Sequence, residues 1–176
     1  KGEPIVELKK EIMQILKEKS RAKSQITFDE DFNVPDAKPD VGRLIQYKGR
    51  ISMDDVHLAD GKGILRGDLQ VDILYVGEEN GIISSITAKL PFEETLNLKD
   101  IVNGDKLCLK WEIEDLTIRL IHSRKLNIKA LVTFYGAVDE TEQVRLPVAL
   151  DATDISVRKK TVRFLGLTVH KKDTLR

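Results

Sequence analysis

One cysteine, one tryptophan and three histidines are all that 176 residues offer to redox, metal or stacking chemistry. Cys108 has no second cysteine to pair with, so an internal disulfide framework is excluded. His57, His122 and His170 stand far apart, and none lies at metal-ligand spacing from another histidine or from Cys108. Aromatic residues are only 5% of the chain, which is thin for a sugar cleft or for a platform that stacks single-stranded bases. Apolar runs are short. None approaches the roughly 20 residues of a membrane helix, and no apolar stretch follows a basic start as in a secretory leader. Surplus charge is missing too: Lys+Arg and Asp+Glu both number 29. A nucleic-acid module usually carries a basic excess, so binding of nucleic acid is not expected.

What is present is globular in kind, with 41% hydrophobic and 33% charged residues. A chain of this length buries roughly 70% of its unfolded surface and needs no metal or disulfide to fold. It begins at Lys1-Gly2 without Met and ends in a charged run through Arg176. It therefore reads as a piece of a longer protein, in a cytosolic setting.

The first segment reads as an amphipathic helix over residues 1–23. Pro4 suits a first helical turn. Ile5, Leu8, Ile12 and Ile15, with Leu16, fall at helical spacing. This stripe is the candidate interaction face, docking on the following domain or on another chain. Beyond Lys23 the period changes to two, starting with Ile26 and Phe28. Pro35 and Pro39 then stiffen a turn-rich crossing segment. Asp60-Gly61 signals a hairpin turn. Leu65, Gly67, Leu69, Val71, Ile73 and Tyr75 alternate with polar neighbours as a long strand, and Gly67 inside it suggests a bulge or a close backbone approach. Glu79-Asn80-Gly81 promises a second turn. Ile86, Ala88, Leu90 and Phe92 alternate again, with Pro91 marking an edge or a strand end.

Leu107, Leu109, Trp111 and Ile113 share one parity, and Leu116, Ile118 and Leu120 the other. A slip of one residue implies a bulge near Glu114-Asp115. Leu126 to Phe134 form the next strand, and Val144 to Leu150 a shorter one with Pro147 at an edge. Ile155, Val157, Leu165, Leu167 and Val169 suggest further strands. About seven strands or more, joined by Gly/Asn/Asp turns without crossover helices, predict a mainly β fold: an antiparallel sandwich or barrel-like domain.

Candidate chemistry is sparse. Asp29-Glu30-Asp31, Asp54-Asp55 and Glu112-Glu114-Asp115 lack the loop pattern that wraps calcium. They read as solvated strand faces. Gly61-Lys62-Gly63 lacks the frame of a phosphate-binding loop. Cys108 falls on the polar phase of its strand, with no base in sight to make a thiolate. No catalytic residue, metal ligand or cofactor site is assigned.

Four blocks together form a pattern. They are Phe32-Asn33-Val34-Pro35-Asp36-Ala37-Lys38-Pro39-Asp40-Val41, the strand Gly67–Val76, Leu90-Pro91-Phe92-Glu93-Glu94, and Ser123-Arg124-Lys125-Leu126-Asn127-Ile128-Lys129-Ala130. In this order they resemble the SPOCS (spore coat assembly) domain of SipL-type spore-coat morphogenetic proteins of clostridia. The resemblance implies a SPOCS-like domain over 24–153, with 154–176 leading toward a following repeat. It implies a scaffold acting through protein contacts in the mother-cell cytoplasm, at the forespore surface and coat. Its partners would be other coat morphogenetic proteins or a second copy. The family's contact with the coat basement-layer ATPase is linked to a LysM domain that this chain lacks. The signature positions Pro35, Asp36, Pro39, Asp40, Gly67, Tyr75, Pro91, Phe92 and Arg124 take structural roles in this reading, and Arg124 is expected to clamp a carboxylate or a loop carbonyl. A carbohydrate- or peptidoglycan-binding sandwich is the alternative.

Overall fold

A computed structural model describes residues 7–79, 81–102, 104–151, 158, 160 and 161. Six strands follow one another: β1 (Glu7–Asn33), β2 (Val41–Ala59), β3 (Lys62–Gly77), β4 (Ile83–Asn97), β5 (Leu107–His122) and β6 (Lys125–Asp151). They form two three-stranded sheets, ordered β1-β6-β5 and β2-β3-β4. The chain divides into two compact units, residues 15–142 and residues 1–14 with 143–176. In the smaller unit the described residues are the ends of β1 and β6 together with 158, 160 and 161, and Leu8, Ile12 and Val148 are exposed.

In the larger unit the two sheets bury a shared core. Odd positions of β3 from Leu65 to Tyr75 and even positions of β6 from Leu126 to Phe134 point inward. Phe28 on β1 packs edge-on against Phe92 on β4, with ring centroids 6.2 Å apart, and Phe92 in turn lies 5.2 Å from Phe134. Each such side chain contributes about 1.5–3 kcal/mol by leaving water, so this aromatic run ties the sheets together.

Residues 7–23 do not form the amphipathic helix expected over 1–23. From Glu7 onward they belong to β1, and Ile5 lies outside the described residues. Leu8, Ile12 and Leu16 are four residues apart, a spacing that keeps side chains on one face of a helix and also on one face of a strand. Pairing with β6 decides between the two. Side-chain ties from Lys17 to Glu142, Gln25 to Thr133, Asp29 to Lys129 and Asp31 to Lys125 run in opposite senses along the two strands, as an antiparallel pair requires. Leu8, Ile12 and Leu16 are 47%, 61% and 68% exposed, whereas Ile15 is half-buried.

The strand expected over Val144–Leu150 is likewise the far end of β6. The break expected before it is absent. A Cβ at Gly136 would sit 2.6 Å from Leu96 Cδ1, so this glycine makes room for a core leucine instead of turning the chain. The expected strands around Ile155, Val157, Leu165, Leu167 and Val169 lie outside the described residues.

Local signals in the larger unit are realised. Asp60 and Gly61 both have positive φ, 49° and 77°, as a two-residue type I′ hairpin needs. Gly67 faces the β2 irregularity between Met53 and Asp55; a Cβ there would lie 2.2 Å from the Ser52 carbonyl. In β5 the register slips between Ile113 and Asp115, where the hydrophobic phase changes. Trp111 has the inward parity of its partner Phe134, yet it is 43% exposed because β5 ends its sheet.

The two sheets also repeat one another. The sheet β2-β3-β4 corresponds to β5-β6-β1, with β1 arriving from the start of the chain to fill the place of β4. Phe28-Asp29-Glu30-Asp31-Phe32-Asn33-Val34 matches Phe92-Glu93-Glu94-Thr95-Leu96-Asn97-Leu98 in pattern. Contacts match as well. Lys129 pairs with Asp29 at 2.8 Å, and Arg66 pairs with Glu93 at 2.8 Å. The Val34 amide donates to the Arg124 carbonyl at 2.9 Å, and the Leu98 amide donates to the Gly61 carbonyl at 2.8 Å.

Candidate functional site: the two crossovers

Because β1 and β2 lie on different sheets, as do β4 and β5, two connections must cross between sheets. The first, residues 34–40, joins β1 to β2; the second, residues 98–106, joins β4 to β5. Each meets the tip of a hairpin in the sheet it leaves.

At the first crossover, Pro35 and Pro39 limit the backbone, which leaves carbonyls that a strand ladder would have used. Arg124, at the tip between β5 and β6, collects them. Its Nη1 donates to the Lys38 carbonyl at 2.7 Å and to Asp40 Oδ1 at 2.9 Å. Its Nη2 donates to the Val34 carbonyl at 3.0 Å and to Asp36 Oδ1 at 3.3 Å. A planar guanidinium can reach four acceptors at once because its N–H groups are fixed in a fork. Neighbouring bonds complete the knot. Ser123 Oγ donates to Asp40 Oδ2 at 3.0 Å, and the Val41 amide to the Ser123 carbonyl at 2.8 Å. The buried Tyr75 hydroxyl donates to the Pro39 carbonyl at 2.9 Å. The Glu78 amide donates to the Asp40 carbonyl at 2.9 Å.

The structure thus gathers Pro35, Asp36, Pro39, Asp40, Tyr75 and Arg124 into one place. Gly67, Pro91 and Phe92 sit elsewhere: Gly67 pairs with Phe92, and Asp68 with Pro91, along the β3–β4 ladder. Pro91 is accommodated because β4 ends its sheet.

The second crossover is two residues longer, begins with the equivalent main-chain bond and has a different fastening. The Arg124 place is taken by Gly61, which has no side chain. The cation comes instead from β1. Lys19 Nζ lies 2.8 Å from Asp105 Oδ2, with both side chains largely covered. The Val102 amide also donates to Asp105 Oδ2 at 2.8 Å. The Lys19 ammonium first, and the Val102 amide second, hold the Asp105 carboxyl below its ordinary value of 3.8. The Lys99 amide donates to Ser20 Oγ at 2.9 Å. Beside these contacts opens a cleft of about 1070 Å³, walled by Val56–Gly61 of the hairpin and by Ile101, Val102 and Gly104–Leu107 of the crossover. Sequence reasoning missed this cleft. The turn signal at Asp60-Gly61 was visible, but not what a side chain there would have filled.

Sheet faces carry charge ladders. Asp29 and Asp31 are both held below the ordinary carboxylate value, Asp29 chiefly by Lys129 and then Asn127, Asp31 chiefly by Lys125 and then Asn127. Glu114, at the β5 bulge, accepts a hydrogen bond from the buried Thr133 hydroxyl. Cys108 is exposed and unpaired. Among the described residues, no group of three or more His, Cys, Asp or Glu is placed to hold a metal ion. No helix among them is long and apolar enough to cross a membrane.

Residues 40–121 match the family model described as SipL, SPOCS domain. The matched segment runs from the last residue of the first crossover through β2, β3 and β4 and nearly to the end of β5. No curated protein and no solved structure matches the chain.

Proposed function

Since this is a SPOCS-domain protein, and so carries a sporulation-related module, we propose that it works as a non-catalytic protein-interaction scaffold in endospore coat assembly. It acts in the mother-cell cytoplasm and at the forespore surface. There it binds coat morphogenetic proteins or further copies of itself. The contact with the coat basement-layer ATPase is assigned to the LysM domain of the family and not to the SPOCS module.

The observation that carries this reading is β1, a 27-residue strand at the end of its sheet. An end strand presents a row of backbone donors and acceptors to any extended segment that arrives. The other end strands are blunted. The β2 ladder is interrupted three times and the β5 ladder twice, and β4 carries Pro91. The described span of β1 contains no proline, and Leu16 on it is 68% exposed.

A carbohydrate-binding sandwich is the second reading. The half-exposed aromatics Tyr47, Trp111 and Tyr135 lie on three different strands, and none lines the cleft at the second crossover. This favours the scaffold.

A fluorescent fusion of the chain in sporulating cells tests the proposal. A ring of signal at the forespore is expected, weakened when Ser24→Pro interrupts β1. Diffuse mother-cell fluorescence with an intact fusion overturns it. Retention on purified peptidoglycan, unaffected by Ser24→Pro, would favour the carbohydrate reading.

A further inference from the structure

The internal repeat shows what belongs in the cleft. In the first half, the space between hairpin tip and crossover is filled by the Arg124 guanidinium, donating to Val34, Asp36, Lys38 and Asp40. In the second half the main-chain bond at the same place is kept, Leu98 amide to Gly61 carbonyl. The side chain is not. Acceptors remain on both sides of the gap. On the crossover wall Asp105 uses Oδ2 for Lys19 and Val102 and leaves Oδ1 over. Asp60 stands beside Gly61 on the cleft wall. Among the described residues no hydrogen bond or ion pair engages the Asp60 carboxylate. Val56, Leu58, Val102 and Leu107 supply an apolar wall of the kind that covers the methylene stem of a long cationic side chain.

We propose that this cleft receives the guanidinium of an arginine carried by a partner protein, completing at the second crossover the fork that Arg124 makes at the first. The inference rests on the reading of the chain as an interaction module. Charge alone does not select the ligand. Asp105 is already neutralised by Lys19, and Lys106 and His57 also line the cleft, so a point charge gains little there. A planar fork gains from directional bonds to carboxylate oxygens on two sides, Asp60 and Asp105, which an ammonium cannot span.

The test is a titration of the isotope-labelled chain, followed through its backbone amides by NMR, with N-acetyl-arginine amide. N-acetyl-citrulline amide keeps the shape without the charge, and N-acetyl-lysine amide keeps the charge without the fork. Saturable shifts confined to residues 58–61 and 101–107 are expected with arginine alone. Asp60→Asn weakens the apparent affinity by about threefold, the scale of one rim charge pair. Val102→Trp, at a position 61% exposed, fills the mouth and abolishes the shifts while the thermal melt stays in place. Shifts shared by all three probes, shifts scattered over the surface, or none at all, overturn the proposal. A null titration with the forespore ring intact removes the cleft alone; a diffuse fusion signal removes the module reading.

Discussion

The two crossovers each meet a hairpin tip through an equivalent main-chain bond and are fastened by different means. At the first, one arginine donates to two carbonyls and two carboxylates, and prolines stiffen the backbone it grips. At the second, one lysine meets one carboxylate, and a cleft stands beside it. Within a repeat, equal positions face equal packing demands. A departure confined to one copy is therefore informative. The core positions Phe28 and Phe92 have kept their kind, as have the surface pairs Lys129–Asp29 and Arg66–Glu93. The hairpin tips have not: Arg124 stands in one and Gly61 in the other. The first tip is built to hold its own crossover. The second leaves its space open.

The largest expected effect would break both halves together. Phe134→Ala removes the ring on which Phe92 rests in the shared core, and should cost about 3–5 kcal/mol in urea unfolding. Loss of much less would mean that the halves do not share one core.

Arg124→Ala should cost about 2–3 kcal/mol, since the Val34 and Lys38 carbonyls and the Asp40 carboxylate lose charge-assisted donors together. Amide exchange at Val34 and Val41 should quicken with it. Lysine is no substitute, because one ammonium cannot reach both sides of the loop. Gly61→Asn, at the equivalent tip, should stay within about 0.5 kcal/mol, because Asn tolerates positive φ. Equal losses at the two tips would erase the distinction drawn between them.

The smallest effect sharpens the second crossover. Asp105 has its folded value depressed, so its pairing with Lys19 contributes stability that is present above the ordinary carboxyl value and is lost as pH falls through the folded value. Lys19→Met should therefore lower the melting temperature near neutrality. The gap from the parent should close as pH is taken well below 3.8. A gap that persists in acid would assign the loss to packing of the Lys19 stem and not to its charge.

Much of the larger unit was legible in the sequence, for reasons that are local. Alternation at period two named the inward positions of β3 and β6, because a strand cannot turn one residue without turning its neighbours. The phase slip at Glu114 marked a bulge. Gly67 marked a close approach, now seen against the Ser52 carbonyl. Errors arose where local signals fit two structures. Leu8, Ile12 and Leu16 satisfy a helix and a strand alike, and only pairing with β6 separates them. The strand expected over Val144–Leu150 is part of β6, which runs on unbroken through Gly136, where Leu96 takes the space a side chain would fill. The repeat escaped notice because it is circularly permuted: the strand that completes the second half, β1, comes first in the chain.

The sequence by itself determined the β alternation, the tight turn at Asp60-Gly61, the slip in β5 and the family to which residues 40–121 belong. These depend on side-chain parity, on φ and on residue order, all of which are written along the chain. The tertiary structure decided that β1 is a strand, that β1 and β6 are neighbours, and that Arg124 meets residues 34–40. It also decided that Gly61 leaves a cleft where its counterpart closes one. Those outcomes join residues more than 100 positions apart, as between Gln25 and Thr133, and distant partners meet only when the strands pair and the sheets stack.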